Sequence, residues 1–393
     1  MVPKGWEINE LQNLCKKIAV GLAISVTPFM RNSGVKLIRN QNIKRNYFNS
    51  DSIVYIDEVF ANTNKSKKVR HGDVVAVRTG SNIGEACVVP EEFDGSLTFT
   101  TLIARPNPEL LDSFYLSTHI NSDLGIAEVN RLSAGGGKPN LNSGELKHYR
   151  LLTPPLPEQS KIAQLLSTWD KAISITEQLL ANSQLQKKAL MQQLLTGKKR
   201  LLDKNGLRFS GEWKRVELGD LLEYQQPTPY LVESTDYSDD FSTPVLTAGK
   251  TFILGYTDEE TGVFSEKLPA IIFDDFTTDS KFVDFPFKAK SSAMKILTAK
   301  KEVSIKYVYE AMQLLDFAVG GHQRHWISIY SRLVIPFPGK EEQQKIAAVL
   351  SSADQEIAVL QQKLYALKQE KKALMQQLLT GKRRVKINEK EVA

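Results

Sequence analysis

Apolar residues recur at alternating spacings of three and four along two long stretches of the chain. In the later stretch nine of ten pattern positions are apolar, and Lys371 is the exception. In the earlier stretch three of ten are polar. This spacing is typical of helices that pack along one seam in a coiled coil. The predicted apolar seam contains Ile162, Leu166, Trp169, Ile173, Leu180, Leu190 and Leu194, and then Ile346, Leu350, Ile357, Leu360, Leu364, Leu367, Leu374 and Leu378.

Residues that end helices flank both stretches. Prolines precede each one, at 154, 155 and 157 and again at 336 and 338, and Gly197 and Gly381 follow. Proline ends the preceding strand, and glycine suits the left-handed position past a helix end. Each predicted helix is about 39 residues and roughly 58 Å long.

The chain contains an internal repeat. The sequence KKALMQQLLTGK occurs at 187–198 and again, without a change, at 371–382. Upstream, EQSKIAQLLSTWDKAI (158–173) aligns at the same offset with EQQKIAAVLSSADQEI (342–357). A repeat this long indicates a duplicated pair of domains and not a solenoid.

The order of the repeat predicts that the two helices are antiparallel. We call the segment that precedes each helix a block. Helix one directly follows the first block, and helix two directly follows the second block, which begins about 15 residues after helix one ends. A pseudo-two-fold relation between the copies then places Lys371 opposite Trp169. As a hypothesis, the ammonium group of Lys371 lies over the indole ring, a cation–π contact worth about 1 kcal/mol.

The two blocks, each of which precedes one of the long helices, show strand-like and helix-like runs in the same order. The first opens on a helical pattern (Ile8, Leu11, Leu14, Ile18), followed by β-rich runs and a helix over 109–121. Its predicted β-rich runs are 52–60, 73–78, 86–89 and 98–104. The second block has such runs at 249–255, 268–273, 281–285 and 293–297, before a helix over 304–317. Both patterns predict an α+β domain.

The predicted architecture is α+β, with two globular domains separated by two long antiparallel coiled-coil helices in a pseudo-two-fold tandem repeat. The predicted segments are a first globular domain (1–155), a first spacer helix (156–198), a linker (199–212), a second globular domain (213–338), a second spacer helix (339–382) and a basic C-terminal tail (383–393).

Composition narrows the possible classes of protein. Two cysteines in 393 residues allow neither a disulfide framework nor a four-thiolate zinc site. The polar start contains no secretory signal, and the longest apolar run, 18–26, is about half of a bilayer span. We therefore expect a soluble, cytoplasmic protein. The net charge of +6 favours a polyanionic partner only weakly, because the second block carries 13 Lys and Arg against 18 Asp and Glu.

Several motifs resemble the DNA specificity subunit of type I restriction-modification systems. They are PPLPEQSKIAQLL and PFPGKEEQQKIAAVL at the helix starts, LTGKKR and LTGKRR at the helix ends, HGDVVAVRTGSNIGEACVVPEE and GGGKPNLNSGEL. The resemblance covers essentially the whole chain. It implies two target recognition domains that each read one half of a split site in double-stranded DNA. It also implies helices that dock two methylation subunits, an assembly that recruits restriction subunits, and no catalytic residue, metal or cofactor in this chain.

Candidate DNA contacts in the first block lie beside glycines. Arg78, Thr79, Ser81 and Asn82 follow a predicted strand, and arginine and asparagine supply donors that match guanine and adenine edges. Arg78 could equally be a framework residue of the turn. After three glycines come Lys138, Asn140 and Asn142, which could position a phosphate or cap the next element.

Candidate contacts in the second block are basic or aromatic. Lysines concentrate in an otherwise acidic domain, and a Gly-rich loop carries donors and an indole. For any single lysine, an ordinary solvated charge is the simpler interpretation. The candidates are Lys281, Lys288 and Lys290 in the first group, with Lys295 beside them, and His322, Arg324, His325 and Trp326 in the second.

The sequence motifs do not match those of the enzyme classes that we considered. TPPL at 153–156 lacks the Asn/Asp-Pro-Pro-aromatic pattern of an adenine methyltransferase, and GGGKPN lacks the spacing of a nucleotide-binding loop. Asp274, Asp275 and Asp279 are too closely spaced for a typical metal nuclease. The competing hypothesis is a non-catalytic coiled-coil adaptor whose globular ends bind proteins. A salt-dependent affinity for duplex DNA distinguishes the two interpretations.

Overall fold

The structure, a computed structural model, describes residues 2–133, 140–249, 251–315 and 325–387. The chain forms two compact units. Unit 1 comprises Met1–Glu177 and Gln362–Ala393, and unit 2 comprises Gln178–Gln361. Each unit therefore combines one block with a segment of both long helices.

Unit 1 is a mixture of short strands and helices. Its strands are β1 (Glu7–Glu10), β2 (Cys15–Val20), β3 (Met30–Arg31), β4 (Val35–Ile38), β5 (Ile43–Lys44), β6 (Tyr47–Phe48), β7 (Val54–Ile56), β8 (Val74–Val77), β9 (Ala86–Val88), β10 (Leu97–Thr98), β11 (Thr101–Pro106) and β12 (Arg150–Thr153). Its helices are α1 (Leu11–Leu14), α2 (Glu58–Thr63), α3 (Ser113–Ile120), α4 (Asp123–Ser133), α5 (Ser143–Lys147) and the first part of α6 (Leu156–Leu194).

Unit 2 is likewise a mixture of short strands and helices. Its strands are β13 (Lys214–Glu217), β14 (Leu222–Gln225), β15 (Thr243–Leu246), β16 (Ile253–Thr257), β17 (Ala270–Asp274), β18 (Ser280–Val283), β19 (Lys288–Ala289), β20 (Met294–Ala299) and β21 (Val334–Phe337). Its helices are the last part of α6, α7 (Leu218–Leu221), α8 (Ile305–Met312), α9 (His325–Ser328) and the first part of α10 (Lys340–Leu379), whose remainder belongs to unit 1.

The two units share one sheet plan. Unit 1 has an antiparallel sheet in the order β2-β11-β8-β9, and unit 2 has one in the order β14-β20-β17-β18. In both, the strand that opens the block pairs with the strand before the long helix, β1 with β12 and β13 with β21. The predicted α+β class and the predicted duplication are confirmed.

Some predicted elements of the first block are wrong. The opening residues form a strand, a single helical turn over Leu11–Leu14 and a second strand. Of the four positions of the predicted helical pattern, Ile8 instead pairs with Leu152 in a sheet and Ile18 lies in β2. The predicted helix over 109–121 begins only at Ser113, where the Asp112 carboxylate accepts the backbone N–H of Tyr115 at 2.9 Å and caps it. Helix α4 was not predicted.

The long helices are antiparallel within each unit. In unit 1, α6 residue Asp170 contacts Lys371, and Glu177 lies 2.7 Å from Lys368. Residue numbers rise along α6 as they fall along α10. Unit 2 shows the same order, with Ser183 donating to Glu356 at 2.9 Å and Lys187 lying 2.5 Å from Asp354.

Lys371 binds the residue next to its predicted partner. Its ammonium group binds the Asp170 carboxylate, next to Trp169, and not the indole ring. The seam itself has the predicted burial, since each of its apolar positions is buried or half-buried. The polar seam residue Thr176 is also buried, and its hydroxyl donates to the carbonyl of Ala172 at 2.8 Å. A hydroxyl that bonds back to its own helix can occupy an apolar seam at small cost.

The start of each long helix is held by a three-residue cluster. In unit 1, the carboxylate of Glu158 accepts a hydrogen bond from the Trp6 indole at 3.1 Å and two from Arg384 at 2.6 Å. In unit 2, Glu342 accepts from Trp213 at 3.0 Å and from Arg200 at 2.6 and 2.7 Å. The hydrogen bonds to these carboxylates raise the pKa of Arg384 and of Arg200. We call the two clusters the helix-start clamps.

Within the described residues, no helix combines the length and the apolar character needed to cross a bilayer.

Candidate nucleic-acid interface

Each unit carries one turn that follows a central strand of its shared sheet and is joined to a distant segment. In unit 1 the turn after β8 begins at Arg78, and the carbonyl of Arg78 accepts the N–H of Leu141 at 3.1 Å. In unit 2 the turn after β17 begins at Asp275, and its carbonyl accepts the N–H of His325 at 3.0 Å. Leu141 and His325 are separated by the same offset that relates 187–198 to 371–382. The two junctions are therefore equivalent.

The junction of unit 1 brings two predicted contact residues together. Nε of Arg78 donates to the side-chain oxygen of Asn140 at 3.2 Å, and Thr79 forms a β-bridge with Asn140. Thr79, Ser81 and Asn82 are exposed on the same turn. Gly80 has a φ of +97°, which a larger residue adopts only with strain, so this glycine allows the tight turn.

Asn142, another predicted contact of unit 1, caps a helix. It is the N-cap of α5, where its side chain accepts the N–H of Glu145 at 3.0 Å while the Glu145 carboxylate accepts the N–H of Asn142 at 2.8 Å. This is the capping role that the sequence left open. Lys138 lies outside the described residues.

The structure corrects four predicted contacts of unit 2, namely Lys288, Lys295, His325 and Trp326. Lys288 is 2% exposed, with its ammonium 2.5 Å from Glu259 and 2.7 Å from the carbonyl of Thr261. His325 and Trp326 are 1% and 2% exposed, and Trp326 packs on Phe273 and Tyr330. Lys295 is 1% exposed. A buried side chain offers no surface to a duplex, so we exclude these four from the candidate interface.

The remaining predicted residues of unit 2 divide into two groups. Lys281 is 39% exposed and lies 3.2 Å from Asp279, and Lys290 has its ammonium 5.8 Å from the centre of the Tyr237 ring. Both stay candidates. His322 and Arg324 lie outside the described residues.

Sequence reasoning missed the buried ion pair beneath the turn of unit 2. Asp275 and Lys295 are each 1% exposed, and Oδ2 of Asp275 is 3.6 Å from Nζ of Lys295. The other carboxylate oxygen accepts the N–H of Trp326 at 2.8 Å, and Lys295 donates to Gln226 at 3.0 Å. The turn then presents Phe276, 41% exposed. The offset of the helix repeat relates Leu141 to His325 but does not relate Arg78 to Asp275, so the sequence repeat alone locates only one side of the junction.

Other kinds of site find little support. Among the described residues no group of three or more His, Cys, Asp or Glu is placed to hold a metal ion. Unit 1 has a cavity of about 1080 Å³ between α4 and the long helices, lined in part by Asp123, Asp170, Lys371 and Lys372. These four charged side chains pair with one another, Lys371 with Asp170 and Lys372 with Asp123 at 3.5 Å.

Comparison with known proteins agrees with this arrangement. The family profile described as type I restriction modification DNA specificity domain matches residues 3–182 and again residues 210–369. A type I restriction enzyme specificity subunit of Escherichia coli is 52% identical over 145 residues, which are 36% of this chain and 35% of that protein. The chain thus aligns with about a third of this relative's length.

More distant relatives match over most of their length. A type I restriction enzyme specificity subunit of Methanocaldococcus jannaschii is 23% identical over 376 residues, 82% of each chain. The crystal structure of a type I restriction-modification S subunit from M. genitalium shares the fold with a TM-score of 0.69 at 14% identity, covering 99% of this chain and 100% of that one. Because the family profile occurs twice and spans most of the chain, this protein belongs to the type I restriction-modification DNA specificity family.

Proposed function

We propose that this chain selects the DNA sequence on which a type I restriction-modification assembly acts. The domain of each unit reads one half of an asymmetric, bipartite site. The observation that carries the proposal is the pair of equivalent junctions, which share a sheet plan and a backbone hydrogen bond but present different side chains. Since base edges are distinguished by the side chains that face them, two unlike junctions select two unlike half-sites.

The methylation and cleavage chemistry belongs to other subunits in this proposal. Two methylation subunits, which modify adenine, dock on the long helices, and restriction subunits join the assembly. Apolar side chains outside the seam support such docking. In unit 1 they are Leu165, Ile175 and Tyr365, and in unit 2 Leu179, Leu185 and Val359, with exposed fractions from 39% to 68%.

The repeat supports the proposal of two methylation subunits. Ile175 and Val359 occupy equivalent positions of its two copies, and they are 57% and 56% exposed. Large apolar side chains at equivalent positions are typical of two copies of one docking surface.

The competing interpretation, a protein-binding adaptor, explains the long helices equally well. It gives no account of the two equivalent junctions, and in unit 1 exposed polar side chains cluster there on a glycine-containing turn. Relatives from the same family are specificity subunits. These points favour DNA recognition.

Binding to duplex DNA in the presence of the methylation subunit tests the proposal. We expect the logarithm of the association constant to fall linearly with the logarithm of salt concentration, because phosphate contacts release counterions. Fluorescence anisotropy with a labelled duplex measures this, and a duplex of scrambled sequence is the control. The mass of the purified complex gives the number of methylation subunits, which we expect to be two.

The target is found by sequencing modified adenines in DNA from a host that carries the system. We expect one motif of two unlike short halves around a gap of fixed length. A complex that binds no duplex, or binds all sequences equally, contradicts the proposal.

A further inference from the structure

The two junctions differ most at their first residue. Unit 1 has Arg78 there, and unit 2 has Asp275. The equivalence rests on the backbone, since each residue directly follows a central strand of the shared sheet plan, β8 or β17, and its carbonyl accepts a hydrogen bond from an equivalent N–H. One position therefore carries opposite charges in the two readers.

The guanidinium group of Arg78 is bound through Nε. Its Nε donates to the Asn140 oxygen at 3.2 Å. In the part of the chain that the structure describes, no residue pairs with the two terminal nitrogens. Two parallel N–H donors on a planar group match O6 and N7 of guanine, the commonest specific contact of arginine in the major groove. Asn140 keeps the guanidinium plane fixed, which lowers the entropy lost on binding.

Asp275 cannot play the same part in unit 2. Its carboxylate is buried, and it is satisfied by the Trp326 N–H at 2.8 Å and by Lys295, which is buried as well. Neither charge reaches a base edge. The next residue, Phe276, is exposed instead, on a turn held by the bond from its own N–H to Asp274 at 2.9 Å. An exposed phenyl ring in the major groove contacts the C5-methyl group of thymine.

We infer that Arg78, oriented by Asn140, reads a guanine in one half-site, and that Phe276, on a turn fixed by the buried Asp275–Lys295 pair, reads a thymine at the corresponding point of the other. The inference rests on the proposed function and names the bases of that same site. Asn140, Asp275 and Lys295 are positioning residues in it. Arg78 and Phe276 determine specificity.

Base analogues test both contacts directly. The probe is the duplex target found from modified adenines, bound to the complex of this chain with its methylation subunit. Replacing the relevant guanine by 7-deazaguanine removes N7, and replacing the thymine by uracil removes only the methyl group. We expect 7-deazaguanine to weaken DNA binding by the unaltered chain on the order of 10-fold. The same analogue should not weaken DNA binding by the Arg78→Ala variant. We expect uracil to weaken DNA binding by the unaltered chain a few-fold. The same replacement should not weaken DNA binding by the Phe276→Ala variant.

Changes of sequence preference complete the test. Arg78→Ala relaxes the preference for guanine on the order of 10- to 100-fold at one position. The preference at the other half-site persists, which also shows that the variant is folded. Asn140→Ala relaxes the same preference for guanine in a chain that retains Arg78. In the Arg78→Ala background, adding Asn140→Ala has no further effect on that preference. Arg31→Ala, an exposed arginine on β3, is the matched control and leaves both half-sites unchanged.

Two results would overturn the inference while leaving the proposed function intact. In the first, Arg78→Ala weakens binding equally for all sequences and reduces the salt dependence, as expected for a phosphate contact. In the second, the analogues affect the unaltered chain and the variants alike. An unaltered complex that does not discriminate between sequences would instead refute the proposed function together with the inference.

Discussion

Burial decides what an individual polar residue does in this protein. Lys281 and Lys288 belong to one basic group in the sequence, yet Lys281 is partly exposed, whereas Lys288 is buried against Glu259. Asn140 and Asn142 are two residues apart, yet one orients Arg78 and the other caps a helix. Residue type and spacing identify candidates, and the neighbours brought in by the fold assign their roles.

His119 gives unit 1 a dependence on pH. Its ring is 3% exposed, and Nδ1 lies 2.8 Å from the Tyr149 hydroxyl. Burial lowers the pKa of His119 to about 4. The folded state therefore binds its proton only near pH 4, while the unfolded chain binds it near pH 6.5. Stability from this residue is fully present above about pH 6.5 and falls as the pH drops towards 4.

We expect the free energy of unfolding to fall by about 3 kcal/mol between pH 6.5 and 4 because of His119 alone. His119→Gln removes this titration and flattens the dependence over that interval. Urea unfolding at a series of pH values measures it. His148→Gln is the control, since His148 is on the surface. An equal slope for His119→Gln and the unaltered chain would contradict the assignment.

At the scale of elements, the helix-start clamps explain part of the repeat. Glu158 and Glu342 are 1% and 3% exposed, so each needs the arginine that pairs with it. The neighbouring glutamines act in parallel, as Gln159 accepts the N–H of Asp112 at 2.9 Å and Gln343 accepts that of Ser304 at 3.0 Å. The repeated Glu-Gln pairs thus fasten each long helix to its own block.

Removing the arginine of a clamp should destabilise the unit that contains it. Arg200→Met leaves Glu342 with the Trp213 indole alone, and we expect a loss of about 2 to 4 kcal/mol. Arg384→Met should cost less, about 1 to 2 kcal/mol, because the Arg384 side chain is 44% exposed against 19% for Arg200 and water screens it more.

Urea unfolding, with hydrogen exchange to locate the effect in one unit, measures both losses. The matched controls are Lys199→Met and Arg383→Met, exposed neighbours of the same residue classes. Losses no larger than those of the controls would mean that the clamps do not stabilise the helix starts.

For the whole molecule, we hypothesise that the length of the long helices sets the gap between the two half-sites. Both helices continue without interruption from one unit into the other, α6 over 39 residues and α10 over 40. Seven added residues make nearly two full turns, so the seam keeps its phase, and they lengthen a helix by about 10 Å.

We therefore predict that one heptad inserted into both helices, after Ser183 in α6 and before Glu356 in α10, lengthens the gap by about three base pairs. Both half-sites keep their sequences. Sequencing of modified adenines reads the gap directly. Exchanging an existing heptad for the same seven residues, without a change in length, is the control. An unaltered gap in the lengthened protein would show that helix length does not set it.

The sequence by itself determined the large-scale plan of this protein. The period of apolar residues depends only on local helical geometry, so the seam, the helix lengths and, with the repeat, the antiparallel order were predicted before any contact was known. Local signals mistook the opening strands for a helix, because Leu11 and Leu14 form a single turn between two strands whose pairing partners are distant in the sequence.

Only the tertiary structure decided the candidate interface. Arg78 and Asn140 are 62 residues apart, Asp275 and Trp326 are 51 apart, and no local pattern relates them. Whether a basic or aromatic side chain faces solvent depends on which strands and loops close over it, as Lys288 and Trp326 show. Sequence periodicity reports how a segment folds on itself, whereas contact between distant segments, and so the candidate interface, follows from how the sheet brings them together.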